Sequence, residues 1–295
     1  MNALEVDGLT KRYRGFQLSV SFSIAEGETL AFVGPNGAGK TTLIYTLLNI
    51  VRRNEGRVRF FDLDLDRHEV EIRQRLGVVF EHPHLFDELR VGRILEFWSS
   101  FYPAWDQQYA LRLLEEFAVD PDKRFKKLSK GMRTKVALTL ALAVRPRLLI
   151  LDEPTAGLDP KMRRLFVEKI REARERFSPA ILLTSHIMRD VEDLADRIAF
   201  LENGRVKLLE SRRALETWRV VEGVCDGDLS IDVIGLKLSR ARQAKRFALL
   251  TDRYDERLIN ELRERGATVT SVFTPDLEEI YDWIIAPETA PSSSS

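Results

Sequence analysis

The hydrophobic and polar positions of this chain change their period several times, and each change marks a structural element. Residues 16–22 alternate as a half-buried strand does, and polar turns separate similar short runs before residue 29. Residues 29–33 form a buried-strand pattern. Beyond a short loop, apolar positions recur at helical spacing, at Leu43, Ile44, Leu47, Leu48 and Val51. The pattern predicts an antiparallel sheet that leads into a buried strand, a loop and a helix.

The middle of the chain combines strand patterns with a long helical segment. Residues 88–144 are helical in period and form an inserted segment. On either side of it, strands separated by turns or helices are predicted at residues 58–61, 76–80, 148–151, 180–184 and 197–201. Strands separated by helices favour a mostly parallel sheet. The expected fold class is therefore α/β, with an N-terminal antiparallel portion and an inserted helical subdomain.

The pattern changes again after about residue 210, which we take as the end of a first domain, residues 1–210. Residues 211–286 are predicted to form a small C-terminal α/β domain. Its strands are expected at 229–234, 246–250 and 268–273, and its helices at 255–265 and 275–285. The tail at 287–295 ends in four serines and is predicted to be disordered.

Composition narrows the classes of protein that these elements could serve. The 295 residues carry 46 basic and 46 acidic side chains, so no overall positive field favours a nucleic-acid partner. The single cysteine, Cys225, leaves no internal disulfide and suits a reducing compartment. We see no secretory leader and no run of about 18 uncharged apolar residues. We therefore expect a chain that does not itself cross a membrane.

The loop after residue 33 carries the most specific chemistry. Residues 34–41 read Gly-Pro-Asn-Gly-Ala-Gly-Lys-Thr and match the pattern G-x-x-x-x-G-K-[ST]. Between a buried strand and a helix, such a loop directs backbone N–H groups at phosphates beside a positive helix N-terminus. Lys40 would neutralise phosphate charge, and the Thr41 hydroxyl would hold Mg²⁺. The loop predicts a nucleoside triphosphate site.

A pair of carboxylates follows the apolar strand pattern at residues 148–151. Asp152 would lie beside the metal and hold Mg²⁺ directly or through water. Glu153, one residue later, would face the γ-phosphate and polarise the attacking water as a general base. A lone Asp-Glu pair after a strand is common, but here Pro-Thr-Ala-Gly-Leu-Asp-Pro continues at residues 154–160. The longer motif favours the functional interpretation.

Two further segments complete an ordered series of motifs. Residues 128–132, Leu-Ser-Lys-Gly-Met, precede the carboxylates, and residues 184–186, Thr-Ser-His, end the next predicted strand. With the phosphate loop and Gly157-Leu158-Asp159, this series resembles the ATP-binding cassette (ABC) ATPases, which have a P-loop NTPase core. The resemblance covers residues 1 to about 215. It is closest to single-cassette subunits of bacterial exporters whose membrane part is a separate polypeptide.

The resemblance implies a head-to-tail dimer in which ATP lies between one subunit's phosphate loop and the other's signature segment, residues 128–132. His186 would contact the γ-phosphate and Tyr13 would stack on adenine; an ordinary structural role is the alternative for each. Catalysis is thus assigned to Lys40, Glu153 and His186. Nucleotide binding is assigned to Tyr13, Gly34, Asn36, Gly37, Ala38, Gly39, Lys40, Thr41, Thr42, Ser129, Gly131 and Asp159.

Two departures from the family pattern affect these sites. Glu81 stands where the family usually has Gln, and a carboxylate still ligates Mg²⁺ but adds negative charge near the phosphates. We therefore assign Mg²⁺ to Thr41, Asp152 and Glu81, and expect a changed ATP affinity or turnover. In the signature segment, Lys130 and Met132 replace the usual residues. Exporter cassettes that this chain resembles often show both changes.

Two features between residues 82 and 105 leave alternatives open. His82 and His84 flank a proline, but no third or fourth ligand for zinc accompanies them, so a loop that contacts a membrane partner is favoured. An aromatic cluster follows. Its members either pack in a helical core, which the pattern favours, or line a groove for a partner's short helix: Phe97, Trp98, Phe101, Tyr102 and Trp105.

Together these motifs predict an ATP-hydrolysing subunit of an ABC transporter that powers export through a separate permease. It would form a homodimer or pair with a second ABC ATPase subunit, at the cytoplasmic face of the membrane, with no nucleic acid. The alternative is a soluble ABC ATPase that acts on nucleic acid or ribosomes. Such proteins carry a long coiled coil or two cassettes, and neither is evident here. A partner that binds ATP without hydrolysing it is disfavoured by Glu153 and His186.

Overall fold

The structure is a computed structural model that describes residues 1–225, 229, 235–240 and 245–285. The chain divides into two compact units, the first spanning Met1–Val206 and the second beginning at Lys207. The boundary expected at residue 210 falls inside a strand, Arg205–Ser211. In the part of the chain that the structure describes, no helix has both the length and the apolar character needed to span a bilayer.

The first unit combines strands and helices. Its strands are β1 (Asn2–Tyr13), β2 (Phe16–Ala25), β3 (Thr29–Val33), β4 (Glu55–Phe60), β5 (Leu63–Asp64), β6 (Leu76–Val79), β7 (Leu148–Asp152), β8 (Ala180–Ser185), β9 (Arg197–Glu202) and the first residues of β10 (Arg205–Ser211), which crosses the boundary between the units. Its helices are α1 (Lys40–Leu47), α2 (Glu69–Arg73), α3 (Val91–Ser99), α4 (Gln107–Glu116), α5 (Lys130–Ala143), α6 (Pro160–Phe177) and α7 (Met188–Leu194), with a 3₁₀ turn at Phe125–Lys127.

These strands form one sheet in the order β5-β4-β1-β2-β10-β9-β3-β8-β7-β6. β1 pairs antiparallel with β2 and β4, whereas β9, β3, β8, β7 and β6 are parallel to their neighbours in that series. Every residue of β3, β7 and β8 is buried, which explains their continuous apolar runs. The parallel core and the N-terminal antiparallel portion agree with the expectation from the sequence.

The sheet brings three distant motifs to one edge. β3 leads into the phosphate loop and α1, β7 ends at Asp152 with Glu153 next, and β8 ends at Ser185 just before His186. The register of β7 and β8 sets Asp152 opposite Thr184. Because the carboxyl ends of parallel strands lie on the same side of a sheet, the motifs converge there.

The inserted segment between β6 and β7 contains α3, α4 and α5. Core packing was expected for its aromatic cluster, and that prediction is wrong for Phe97 and Phe101, whose side chains are 43% and 53% exposed. Phe97 lies off the inward face of α3, and Phe101 follows the end of that helix. Trp98 and Tyr102 are partly buried and stack on each other, with ring centroids 6.2 Å apart. The buried positions of α3 are Val91, Ile94 and Leu95.

The second unit contains an antiparallel sheet in the order β12-β13-β11-β14. Its elements are α8 (Arg212–Leu215), β11 (Arg219–Cys225), β12 (Gly235–Arg240), β13 (Lys245–Thr251), α9 (Glu256–Glu264), β14 (Ala267–Phe273) and α10 (Leu277–Ile285). Leu258 and Leu262 of α9 pack with Val221 and Leu249 of the sheet in its core. The strand expected at 229–234, apart from Leu229, and the tail at 287–295 lie outside the described residues.

Candidate nucleotide-binding site

Glycines shape the loop between β3 and α1. Gly37 and Gly39 have φ angles of 82° and 110°, in a region of backbone conformation that disfavours any side chain. Gly34 is required for a different reason, because a Cβ atom on it would lie 2.2 Å from the carbonyl oxygen of Leu201. Asn36 and Gly37 are exposed at the tip of the loop. The loop therefore presents backbone, rather than side chains, at the start of α1.

The turn between β9 and β10 supports this loop from one side. Gly204 donates its N–H to the carbonyl oxygen of Ala38 at 2.9 Å, and its own carbonyl accepts from the amide of Ser19 at 2.7 Å. A Cβ atom on Gly39 would lie 2.8 Å from the ring of Phe16. The loop, the turn and β2 are thus packed too closely for an added side chain.

Lys40 lies at the centre of the site and is only 6% exposed. Its Nζ donates to the carbonyl oxygens of Gly34 at 2.7 Å and Pro35 at 3.2 Å. The same Nζ lies 3.1 Å from Oε1 of Glu153. The ammonium group therefore lies within the curve of the loop, where an anion at the loop would meet it.

Asp152 is held by hydroxyl groups. Thr184 Oγ1 donates to Asp152 Oδ1 at 2.7 Å, and Thr41 Oγ1 lies 3.5 Å from the same oxygen. Burial raises the pKa of Asp152, and the negative charges of Glu153 and Glu81 add to this rise, while the two hydroxyl hydrogen bonds oppose it. A cation beside Asp152 would relieve this unfavourable concentration of negative charge.

Glu153 has an unusual backbone and an incomplete set of partners. Its φ angle is 46°, a left-handed conformation that non-glycine residues rarely adopt and that is typical of functional sites. Oε2 lies 2.6 Å from His186 Nδ1 and also accepts from the His186 amide at 3.2 Å. The buried Oε1 accepts no hydrogen bond from the described residues, although Lys40 is close. One oxygen is therefore anchored by His186, and the other faces the Lys40 ammonium group.

The oxygen donors at this edge fit a magnesium ion. Mg²⁺ is usually held by one or two carboxylates together with substrate phosphates and water, and Thr41, Asp152 and Glu81 supply this kind of donor set. Glu81 is near enough for its charge to raise the pKa of Asp152. Within the described ranges, His82 and His84 belong to no group of three or more His, Cys, Asp or Glu side chains that could hold a metal.

Other residues assigned to nucleotide binding cap helices or lie exposed at the end of a strand. Ser129 caps α5 by accepting from the amide of Met132 at 3.3 Å. Asp159 caps α6 by accepting from the amides of Lys161 and Met162, at 3.0 and 2.9 Å. Neither side chain forms a hydrogen bond to the phosphate loop within the described part of the chain. Tyr13 ends β1, is 48% exposed, and has Lys11 Nζ 5.1 Å from its ring centroid.

The remaining predicted residues lie close to their motifs. Thr42 is half-buried in the first turn of α1, and its carbonyl accepts from the Thr46 hydroxyl at 2.6 Å. Gly131 lies in the first turn of α5, where a Cβ atom would meet the side chains of Leu158 and Met162 at 3.8 Å. The signature segment therefore packs beside the loop that follows Glu153.

Comparison with known proteins decides the family. A family model described as ABC transporter matches residues 18–156. The energy-coupling factor transporter ATP-binding protein EcfA2 of Caldanaerobacter subterraneus is 32% identical over 261 residues, which cover 85% of this chain and 83% of that protein. This chain belongs to the ABC transporter ATP-binding proteins.

Other relatives and solved structures agree. The ABC transporter ATP-binding protein YtrB of Bacillus subtilis is 28% identical over 283 residues, covering 94% of this chain and 96% of the relative. A solved ATP-binding subunit of an ABC transporter is 29% identical, with a TM-score of 0.66, and covers 72% of this chain and 92% of that one. The α/β P-loop fold is thus confirmed, and this ABC protein is an ATPase whose hydrolysis is coupled to transport.

Thr184 is a polar residue of the ABC site that belongs to a predicted motif but was assigned no role from the sequence. Thr184 donates its hydroxyl to Asp152, and the Glu153 amide lies 3.2 Å from Thr184 Oγ1 and 3.1 Å from its carbonyl oxygen. A signal was present, because Thr184 lies at the carboxyl end of a predicted strand, and the carboxyl ends of parallel strands share the edge of the sheet where Asp152 and Glu153 lie. The threonine therefore orients both carboxylate-bearing residues.

Proposed function

We propose that this ABC subunit binds and hydrolyses Mg²⁺–ATP as a head-to-tail dimer and drives export through a separate membrane permease. The subunit would lie at the cytoplasmic face of the membrane, paired with itself or with a second ABC ATPase. The observation that carries this proposal is that the phosphate-loop half of the site is assembled within one chain, whereas the other half, at Ser129 of the signature segment, is exposed. Lys40, Glu153 and His186 form a connected group, whereas the Ser129 hydroxyl is exposed and, among the described residues, bonds within its own helix.

The connected group supports hydrolysis by general base catalysis. Because Oε2 of Glu153 is held by His186, Oε1 can accept a proton from a water molecule that attacks the γ-phosphate. Lys40, at 3.1 Å from that oxygen, would move its hydrogen bonds from loop carbonyls to the phosphates. Bound Mg²⁺ would supply charge neutralisation, and Thr41, Asp152 and Glu81 would hold it. ATP would also contact Asn36, Gly37 and Thr42 along the loop.

The exposed half-site supports a dimer. Ser129 and the Gly131 amide stand at the N-terminus of α5, where backbone N–H groups and the helix dipole favour an anion. A second copy that places this helix end on the phosphates held by Lys40 would complete each ATP site. Tyr13 would stack on adenine through its exposed ring.

A cavity in the first unit supports a permease contact. It has a volume of about 260 Å³ and is lined by Leu85, Trp98 and Tyr102 among mainly apolar side chains. Outside it, Phe86, Phe97 and Phe101 are exposed, and neighbouring rings in this series lie edge to face at 5.0 Å. Exposed aromatic surface beside a cavity is typical of a protein interaction site. We assign it to a short cytoplasmic helix of the permease.

The direction of transport is proposed from relatives. Nod factor export ATP-binding protein I of Rhizobium johnstonii is 36% identical and covers 71% of this chain. EcfA2, by its name, serves an energy-coupling factor transporter, and CysA of Xanthomonas campestris, 33% identical, serves sulfate/thiosulfate import. Export is favoured by Lys130 and Met132 in the signature segment, which resemble exporter cassettes.

The test uses the full chain with Glu153→Gln, which keeps the size of the side chain but removes the base. We expect ATP to stay bound and the protein to elute as a dimer with ATP and Mg²⁺. Solubilised membranes should then yield an integral membrane protein bound to it. Full turnover by this variant would contradict the role of Glu153, and co-purification of an extracytoplasmic binding protein would contradict export.

A further inference from the structure

A buried acidic residue outside the predicted site links its parts. Asp190 lies in α7, four residues after His186, and is 1% exposed. Its Oδ2 accepts a hydrogen bond from the hydroxyl of Thr155, which is 2% exposed and lies two residues after Glu153. Its Oδ1 accepts from Nε of Arg163, in α6, at 2.5 Å. A single carboxylate thus joins three segments.

Two of these segments, residues 153–155 and residues 186–190, are also joined at the reacting groups. Glu153 Oε2 lies 2.6 Å from His186 Nδ1 at one end of each segment, and Thr155 contacts Asp190 at the other end. The first contact is formed by groups that would exchange partners during hydrolysis. The second is buried and its partners have no role in the chemistry. The Thr155–Asp190 contact therefore holds the two segments at a constant separation, which sets the distance between Glu153 and His186.

Arg163 extends the link to the loop that ends at Asp159. The Arg163 amide donates to the Asp159 carbonyl at 2.9 Å, and Leu158 donates its amide to the Thr155 carbonyl at 3.0 Å. Asp190 therefore holds this loop at both ends, through Thr155 at its start and through Arg163 in the helix that follows it.

We propose that Asp190 is a positioning residue for hydrolysis, which sets the geometry of Glu153 and His186 through Thr155. This inference depends on the roles proposed for those two residues. Burying a carboxylate is costly unless it is paired and hydrogen-bonded. Asp190 has both kinds of partner, and no apolar side chain could accept from Thr155 and Arg163 at once.

The main variant is Asp190→Asn. Both partners are donors, so an amide can accept from one of them but presents an N–H₂ group to the other. Displacement of catalytic groups by about 1 Å can lower turnover by about 100-fold. We expect kcat to fall about 10- to 100-fold, with the ATP Kd within about twofold of wild type. We expect kcat to change more than Kd because the phosphate loop, which binds ATP, is supported by Gly204 and not by Asp190.

The matched control is Asp193→Asn on the same helix. Asp193 pairs with Arg171 of α6 at 2.8 Å, but the two side chains are 45% and 54% exposed. Its kcat and Kd should equal those of wild type. Thr155→Val removes one donor while leaving the Asp190–Arg163 pair intact, so it decides the question if Asp190→Asn does not fold.

A second measurement separates positioning from general damage. In the His186→Ala background, Asp190→Asn should lower kcat by less than about threefold, because residues acting as a unit are strongly non-additive. Full multiplication of the two effects would overturn the proposal, as would Thr155→Val and Asp190→Asn variants that both turn over at the wild-type rate. If His186→Ala or Glu153→Gln kept full turnover, the proposed function would fail instead.

Discussion

The turn at Gly204 offers a sharp test of how the phosphate loop is held. Gly204 has a φ angle of 73°, and a Cβ atom there would lie 2.0 Å from the carbonyl oxygen of Gln17 and 2.9 Å from Cα of Leu18. Gly204→Ala therefore forces the turn away from β2. Because the Gly204 amide donates to Ala38, movement of the turn should loosen the phosphate loop.

The expected magnitude follows from two costs. A left-handed backbone costs a residue with a side chain roughly 1–2 kcal/mol, and overpacking typically adds about 1–3 kcal/mol. Gly27→Ala is the matched control, since Gly27 has a φ angle of 74° but its Cβ atom would meet only the Ser178 carbonyl oxygen, at 3.9 Å. Gly204→Ala should therefore destabilise the cassette by about 1–3 kcal/mol more than the control does.

Nucleotide affinity distinguishes a loop effect from simple instability. If displacement of the turn disfavours the ordered loop by about 1 kcal/mol, the ATP Kd rises about fivefold. We would measure Kd by calorimetric titration on both full-length variants, with thermal unfolding in parallel. Gly204→Ala should bind ATP more weakly, whereas Gly27→Ala should bind as wild type does. Equal affinities in the two variants would refute the inference that this turn supports the loop.

Three other outcomes follow from single residues. Lys40→Ala should raise the ATP Kd by at least about 100-fold, and titration at wild-type affinity would exclude its phosphate role. Asp106 caps α4 through the Tyr109 amide at 2.9 Å and pairs with Arg145 at 2.7 Å. Although burial alone would raise the pKa of Asp106, these partners hold it below its usual value, so its stabilisation is present at neutral pH and lost as pH falls through the lowered pKa. Asp106→Asn should therefore cost about 1 kcal/mol at pH 7 and less below about pH 4; urea unfolding that shows a constant difference contradicts this. Leu258→Ala, in the second unit's core, should cost about 2–5 kcal/mol by unfolding, with an unchanged ATP Kd.

The motifs of the site could be found from the sequence because they are short and local. A phosphate loop is recognised by glycines, Lys40 and Thr41 at fixed spacing, and it needs only a strand before it and a helix after it. Buried parallel strands read as apolar runs, which placed Asp152 and Glu153 at a strand end. Each of these signals depends on neighbours within about one element.

The failures arise where burial depends on distant parts of the chain. The aromatic cluster with Phe97 and Phe101 was expected to pack in a helical core, but the inward face of α3 consists of Val91, Ile94 and Leu95. A periodic pattern predicts that an amphipathic helix is present more reliably than it predicts which side chains at the edges of its apolar face are buried. Strand β11 was not predicted, and its pairing with both β13 and β14 is long-range.

The sequence by itself determined the α/β class, the order of the motifs and the family to which their chemistry belongs. Only the tertiary structure decided that Glu153 Oε2 is held by His186 while Oε1 faces Lys40. It also decided that Asp190 joins Thr155 to α6. The physical reason is that periodicity shows which side of an element is buried. Contacts between strand ends depend instead on which strands are neighbours in the sheet and on their register.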